Sequence, residues 1–176
     1  MPEADILYDL QPVSHITVGA LGVPGKRTFF IQGLQDTIVV SLVAEKEHII
    51  ALSRGIFETL ERLGLGNLSV SMSEEEMELA EPIDPLFRIG QLGLGYDPAT
   101  KLLILVAYEL PETENPPTVK VVRFWATPEQ MLKLARHAMV VVAAGRPLCV
   151  LCGRPIDPEG HFCPKRNGHG EKATLT

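Results

Sequence analysis

The residues best equipped for chemistry sit near the end of the chain, in the stretch Gly145 to His169, GRPLCVLCGRPIDPEGHFCPKRNGH. All three cysteines fall there: Cys149 and Cys152 form a C-x2-C pair followed by Gly153, and Cys163 and His169 come later. Zinc takes four tetrahedral ligands and favours thiolate and imidazole. The short cysteine spacing lets two sulfurs grip one ion while glycine relieves the turn. The expected ligand set is Cys149, Cys152, Cys163 and His169, a closed shell with a structural role. His161 competes for the fourth place: in an extended segment, residues 161 and 163 point to the same face and could both ligate. The wider gap to His169 favours that residue, because it closes a loop around the ion more easily. An odd number of cysteines gathered in one short stretch of an acidic chain argues against a disulfide framework. So short a tail buries little core, and the zinc ion would supply most of its folding free energy, on the order of 10 kcal/mol.

The elements that must carry this tail come from the preceding residues. The chain has 176 residues, 45% hydrophobic and 22% charged, the composition of a globular protein long enough for one packed domain and a small metal module. The net charge is -6, which argues against a general binder of phosphate backbones. The tail alone is slightly basic, with Arg146, Arg154, Lys165, Arg166 and Lys172 set against Asp157, Glu159 and Glu171. That leaves a nucleic-acid contact open, but solubilising charge is the simpler reading. Residues Met1 to Leu10 are acidic and lack the basic start and apolar run of a signal peptide, and no segment has the apolar length of a membrane span. A cytoplasmic protein is expected.

The first 145 residues read as an α+β domain. Residues 5 to 10 form a weak edge strand. His15 to Leu21 and Thr28 to Leu34 form a hairpin turning at Gly22 to Gly25, and Thr37 to Ala44 forms a third strand rich in β-branched residues. From Glu47 to Leu63 the period becomes helical, with Ile49, Ser53, Ile56 and Leu60 along one stripe. Residues 66 to 86 lose periodicity and turn acidic (SEEEMELAEPIDP), with Ser73 and Glu76 at capping-box spacing. They read as a linker with a solvated acidic surface.

The second half echoes the first. Ile89-Gly-Gln-Leu-Gly93 follows the pattern of Val18-Gly-Ala-Leu-Gly22, Lys101 to Leu110 forms the return strand of a hairpin at Asp97-Pro98, and Val121 to Ala126 matches Val39 to Ala44. The helices keep step, Glu47 with Glu129, Leu52 with Leu134 and Arg54 with Arg136. Thr127, Pro128 and Gln130 mark the start of the second helix, and its end, Ala138 to Ala144, is apolar nearly all round and is expected to be buried. The expected architecture is therefore an internal duplication of a β-β-β-α unit: repeat 1 over residues 13–65, linker 66–86, repeat 2 over 87–145, and a zinc-binding tail over 146–176. Mostly antiparallel strands are covered by two main helices, and the halves share a core by pseudo-twofold pairing. One continuous sheet and two packed sheets both fit the pattern.

Catalytic constellations are scarce. There is no phosphate-binding glycine loop, and Gly90, Gly93 and Gly95 lack dinucleotide-binding spacing. Arg136-His137 has the order of the histidine-phosphatase pair, but Ala138 follows in place of glycine and the pair falls within a helix. Ser14-His15 has no nucleophile setting, and His48 and His137 read as helix-surface or core residues.

The duplicated β-β-β-α pattern and the ending Cys149, Cys152, Gly153, Pro155, Asp157, Pro158, Gly160, His161, Cys163, Pro164, Asn167, Gly168, His169 together resemble an uncharacterised family of bacterial "repeat proteins", best known from actinobacteria. The resemblance covers nearly the whole chain. It implies no established activity, but it does imply a pathway shared with a phosphatidylinositol-kinase-like protein and a histidine-phosphatase-like protein, either of which is a candidate partner. The function expected is that of a non-enzymatic zinc-binding adaptor. The alternatives are an enzyme of phosphoryl or nucleotide metabolism with a site between the halves, where Arg54, Arg123 and Arg136 could pair with phosphate, and a nucleic-acid-binding finger.

Overall fold

The computed structural model describes residues 2–145, 149–154, 156, 160–165 and 172–173. In chain order the elements are β1 (Glu3–Leu10), β2 (His15–Leu21), β3 (Thr28–Gln35), β4 (Ile38–Ala44), α1 (Lys46–Arg62), β5 (Pro85–Asp97), β6 (Leu102–Glu109), β7 (Thr118–Ala126) and α2 (Pro128–Ala143). The tail adds two short strands, β8 (His161–Phe162) and β9 (Lys172–Ala173). The α+β class holds, and the order strand-strand-strand-helix occurs twice.

Local chemistry sets the helix starts. Glu45 caps α1, and the N3 residue His48 returns the bond by accepting the Glu45 N–H at 3.1 Å. In α2 the Thr127 hydroxyl accepts from the Gln130 N–H while the Gln130 carboxamide accepts from Thr127, the capping box expected from the sequence.

The strands form one seven-stranded sheet in the order β1-β7-β6-β5-β4-β3-β2. Its two ends, β1 and β2, are consecutive in the chain. The bend between them stitches the ends together, since the Val13 N–H donates to the Trp125 carbonyl of β7 and the Ser14 N–H to the Leu34 carbonyl of β3. The sheet thus closes into a ring. On the other side β5 makes the same bend within a single strand: Pro85 and Arg88 run parallel to β4, and Ile89 to Asp97 run antiparallel to β6. Likewise β1 is parallel to β7 and β2 antiparallel to β3. The helices meet through the Ser53 hydroxyl, which donates to the Ala135 carbonyl at 2.7 Å. These residues lie 82 apart, the spacing that also relates Leu52 to Leu134. Positions that the sequence pattern pairs between the two halves therefore touch.

Val18, Ile31 and Leu42 lie side by side across three strands, as do Leu105 with Phe124 and Ala107 with Val122, all shut away from solvent. Burying such side chains contributes roughly 1.5–3 kcal/mol each. Phe124 presses against Gly33 of β3, where a Cβ would collide with the ring. This contact joins the two halves inside the barrel.

The acidic stretch keeps its glutamates exposed, as expected of a solvated surface, and its other side packs on the sheet. Residues 66–86 lie across the outer face of β2, β3 and β4: Thr17 donates to the Met77 carbonyl at 2.6 Å, and the Gln32 side chain bonds both the Ala80 carbonyl and the Ala80 N–H. Those bonds satisfy Thr17, Gln32 and Ser41, which are polar yet buried. The expectation for the end of α2 needs revision, since it is not buried all round. Ala138 and Val141 face the core, but Met139 and Val140 are 47% and 45% exposed, because sheet and α1 cover only one side of the helix. No described helix is long and apolar enough to cross a membrane.

Candidate metal centre

Several described residues of the tail gather around its cysteines. Residues 149 to 154 make a tight turn in which the Gly153 N–H donates to the Cys149 carbonyl and the Cys149 N–H to the Arg154 carbonyl, both at 2.8 Å. Gly153 sits at a φ of 74°, in the left-handed region that suits glycine. The backbone N–H groups of Cys152 and Leu151 point at the Cys149 sulfur and hold its thiol below the usual range. At Cys152 the Arg154 N–H acts in the same direction, but burial and the neighbouring Cys149 and Cys163 sulfurs outweigh it and raise that thiol. Crowded sulfurs cannot all ionise without a cation among them.

The second pair of donors comes from β8 and the residue that follows it. His161 pairs with Ala173 and Phe162 with Lys172, so alternate side chains face opposite ways: His161 and Cys163 are buried, while Phe162 is half exposed. The ligand atoms of Cys149, Cys152, His161 and Cys163 all lie within 4.8 Å of one another. The Cys149 and Cys163 sulfurs are 3.8 Å apart, and Cys152 Sγ lies 3.4 Å from His161 Nε2. A tetrahedral zinc with bonds of about 2.3 Å to sulfur and 2.0–2.1 Å to nitrogen would set these edges near 3.8 and 3.5 Å. Those two edges match such an ion, the four donors lie close enough together to hold a metal ion, and all three cysteines are free thiols. Among the described residues, the cluster around the ligands adds only Ile156, too little apolar surface by itself to hold the segment.

Of the expected ligands, Cys149, Cys152 and Cys163 are brought together. His169 lies outside the described residues, and the imidazole placed beside the sulfurs is that of His161. The signal for it was the period-two alternation of residues 161 to 163.

The arginines considered for phosphate binding are otherwise engaged. Arg123 holds Asp9 through two bonds, at 3.2 and 2.7 Å, and Arg136 reaches the Val70 carbonyl, which leaves only Arg54. His48 serves as part of the α1 cap. His15 lines a polar pocket with Ser14, Gln130 and the Glu76–Lys133 ion pair, which spans 2.7 Å. Burial lowers the His15 pKa, against the pull of Glu76, and burial lowers that of His137 as well.

Neither the curated proteins nor the solved structures gave a match to this chain. One family does match, over residues 8–163, from the end of β1 through both helices to the last cysteine of the cluster. On that span the chain belongs to the family described as a protein of unknown function, DUF3090.

Proposed function

We propose that this chain is a non-enzymatic, cytoplasmic adaptor in which a duplicated barrel carries a zinc-stapled finger that binds a partner protein. Cys149, Cys152, Cys163 and His161 hold the ion, and the four protein donors leave no position for a reactive water. The observation that carries this reading is the convergence of three sulfurs and one imidazole at tetrahedral spacing. The same turn supports an interaction role. With the cysteines facing inward, the residues between them point out: Val150 is 98% exposed, Leu151 50%, and Phe162 on the adjoining strand 52%. An apolar surface on so small a module gains by being covered. The phosphatidylinositol-kinase-like and histidine-phosphatase-like proteins implied by the family resemblance are the first partners to test.

Metal analysis of the purified chain should find equimolar zinc, and Cys163→Ser should lose it while the barrel still unfolds cooperatively. Co-purification with either candidate partner should fail for the Val150→Ser/Leu151→Ser/Phe162→Ser variant. A zinc-free native protein, or a full complement of zinc in Cys163→Ser, would defeat the metal assignment. Partner capture that ignores the triple substitution would defeat the adaptor role of the finger.

A further inference from the structure

The outward-facing end of α2 forms one wall of a cavity of about 440 Å³. Its other walls are β2 and the strap of residues 74 to 83, and its floor is apolar, built from Val18, Met77, Leu79 and Val141. Leu21 and Val140, both nearly half exposed, form its lip and carry the apolar surface outward beyond the cavity. Three carboxylates, Glu74, Glu78 and Glu81, also line it, and none has an ion-pair partner among the described residues. Glu76, in the same acidic run, is neutralised by Lys133. Arg27, a cation near this end of α2, is spent on the carbonyls of Val141 and Val142.

We infer that this groove is a docking site for a cationic, apolar peptide segment of a partner protein. The apolar floor calls for one or two large apolar side chains, and the carboxylates, without an ion-pair partner among the described residues, call for lysine or arginine beside them. An acidic segment would be repelled. So would a second copy of this chain, which carries a net charge of -6 and would set the same carboxylates against themselves. A small amine would leave Leu21 and Val140 uncovered. The groove is built entirely from the barrel, α2 and the strap, so the inference stands apart from the zinc finger and its partner.

Selection of random dodecapeptides from a displayed library against the full-length protein tests this, with the recovered peptides synthesised and titrated by fluorescence anisotropy. Binders should be net positive with at least one large apolar residue, and their affinity should fall as salt rises. Glu74→Gln/Glu78→Gln/Glu81→Gln and, separately, Val140→Asp should each weaken them about tenfold or more. All four positions are exposed, so the variants should keep the wild-type circular dichroism spectrum and melting curve. Failure to recover any binder, binders without net positive charge, or affinities that both variants leave intact would overturn the assignment. Self-association abolished by Val140→Asp would also overturn it, since the groove would then belong to a second copy.

Discussion

At the scale of single residues the decisive choice is between two imidazoles. The cysteines were legible in the sequence because their spacing is itself the chemistry: C-x2-C with a following glycine brings two sulfurs together whatever surrounds it. The histidine was legible only as a choice of two, because the direction of His161 depends on β8 pairing with β9, a contact that the local sequence does not announce. If His161 is the ligand, His161→Ala should weaken zinc retention by more than the roughly 10–100-fold that losing an orienting neighbour costs, and His169→Ala should not. Competition with a chromophoric chelator measures both. The opposite ranking would restore His169 to the shell and leave His161 as a buried neighbour of Cys152.

Among elements, both helices and nearly every strand were readable from local signals. The caps at Glu45 and Thr127, the β-branched run of β4 and the turn at Asp97 are local features. What stayed hidden was which strands lie beside which. The parallel joints β4 with β5 and β7 with β1 join residues distant in sequence, and nothing in the composition of β1 names β7 as its neighbour. The strap's glutamates are exposed, as their composition announces, but its packing against the sheet is not announced by them. Met77, which is buried, and Leu79 alternate with those glutamates and show that one side of the strap is pressed against the sheet. Gly33 shows how tightly the elements fit. Gly33→Ala would force Phe124 aside in a filled barrel and should destabilise the domain by about 1–3 kcal/mol, read as a lower midpoint in urea with an unchanged slope. A wild-type midpoint would mean that the Gly33–Phe124 contact is not tight.

For the whole molecule, acidity acts through histidines held away from water. His15 and His137 both have folded-state pKa values below the ordinary 6.5, mainly through burial, although Glu76 opposes this at His15 and the Val18 carbonyl opposes it at His137. As pH falls through 6.5 the unfolded chain takes up these protons first, so stability is full above that value and is lost below it. Thermal unfolding followed by Trp125, the chain's one tryptophan, whose ring N–H donates to Asp9, reports the barrel apart from the metal site. The melting temperature should drop between pH 7 and pH 5, and a His15→Gln/His137→Gln variant should show a shallower drop. Equal slopes would rule these two groups out as the cause.

The ring of strands also orders events during synthesis. Glu3 has its partner in Thr118, far later in the chain, and among the described residues β1 has no other neighbour in the sheet. A nascent chain that has emerged only as far as β6 therefore carries an unmatched first strand and an open apolar interior without Phe124. The barrel cannot shut until translation has passed Ala126, and a chain halted before that point would expose the side chains most prone to aggregate.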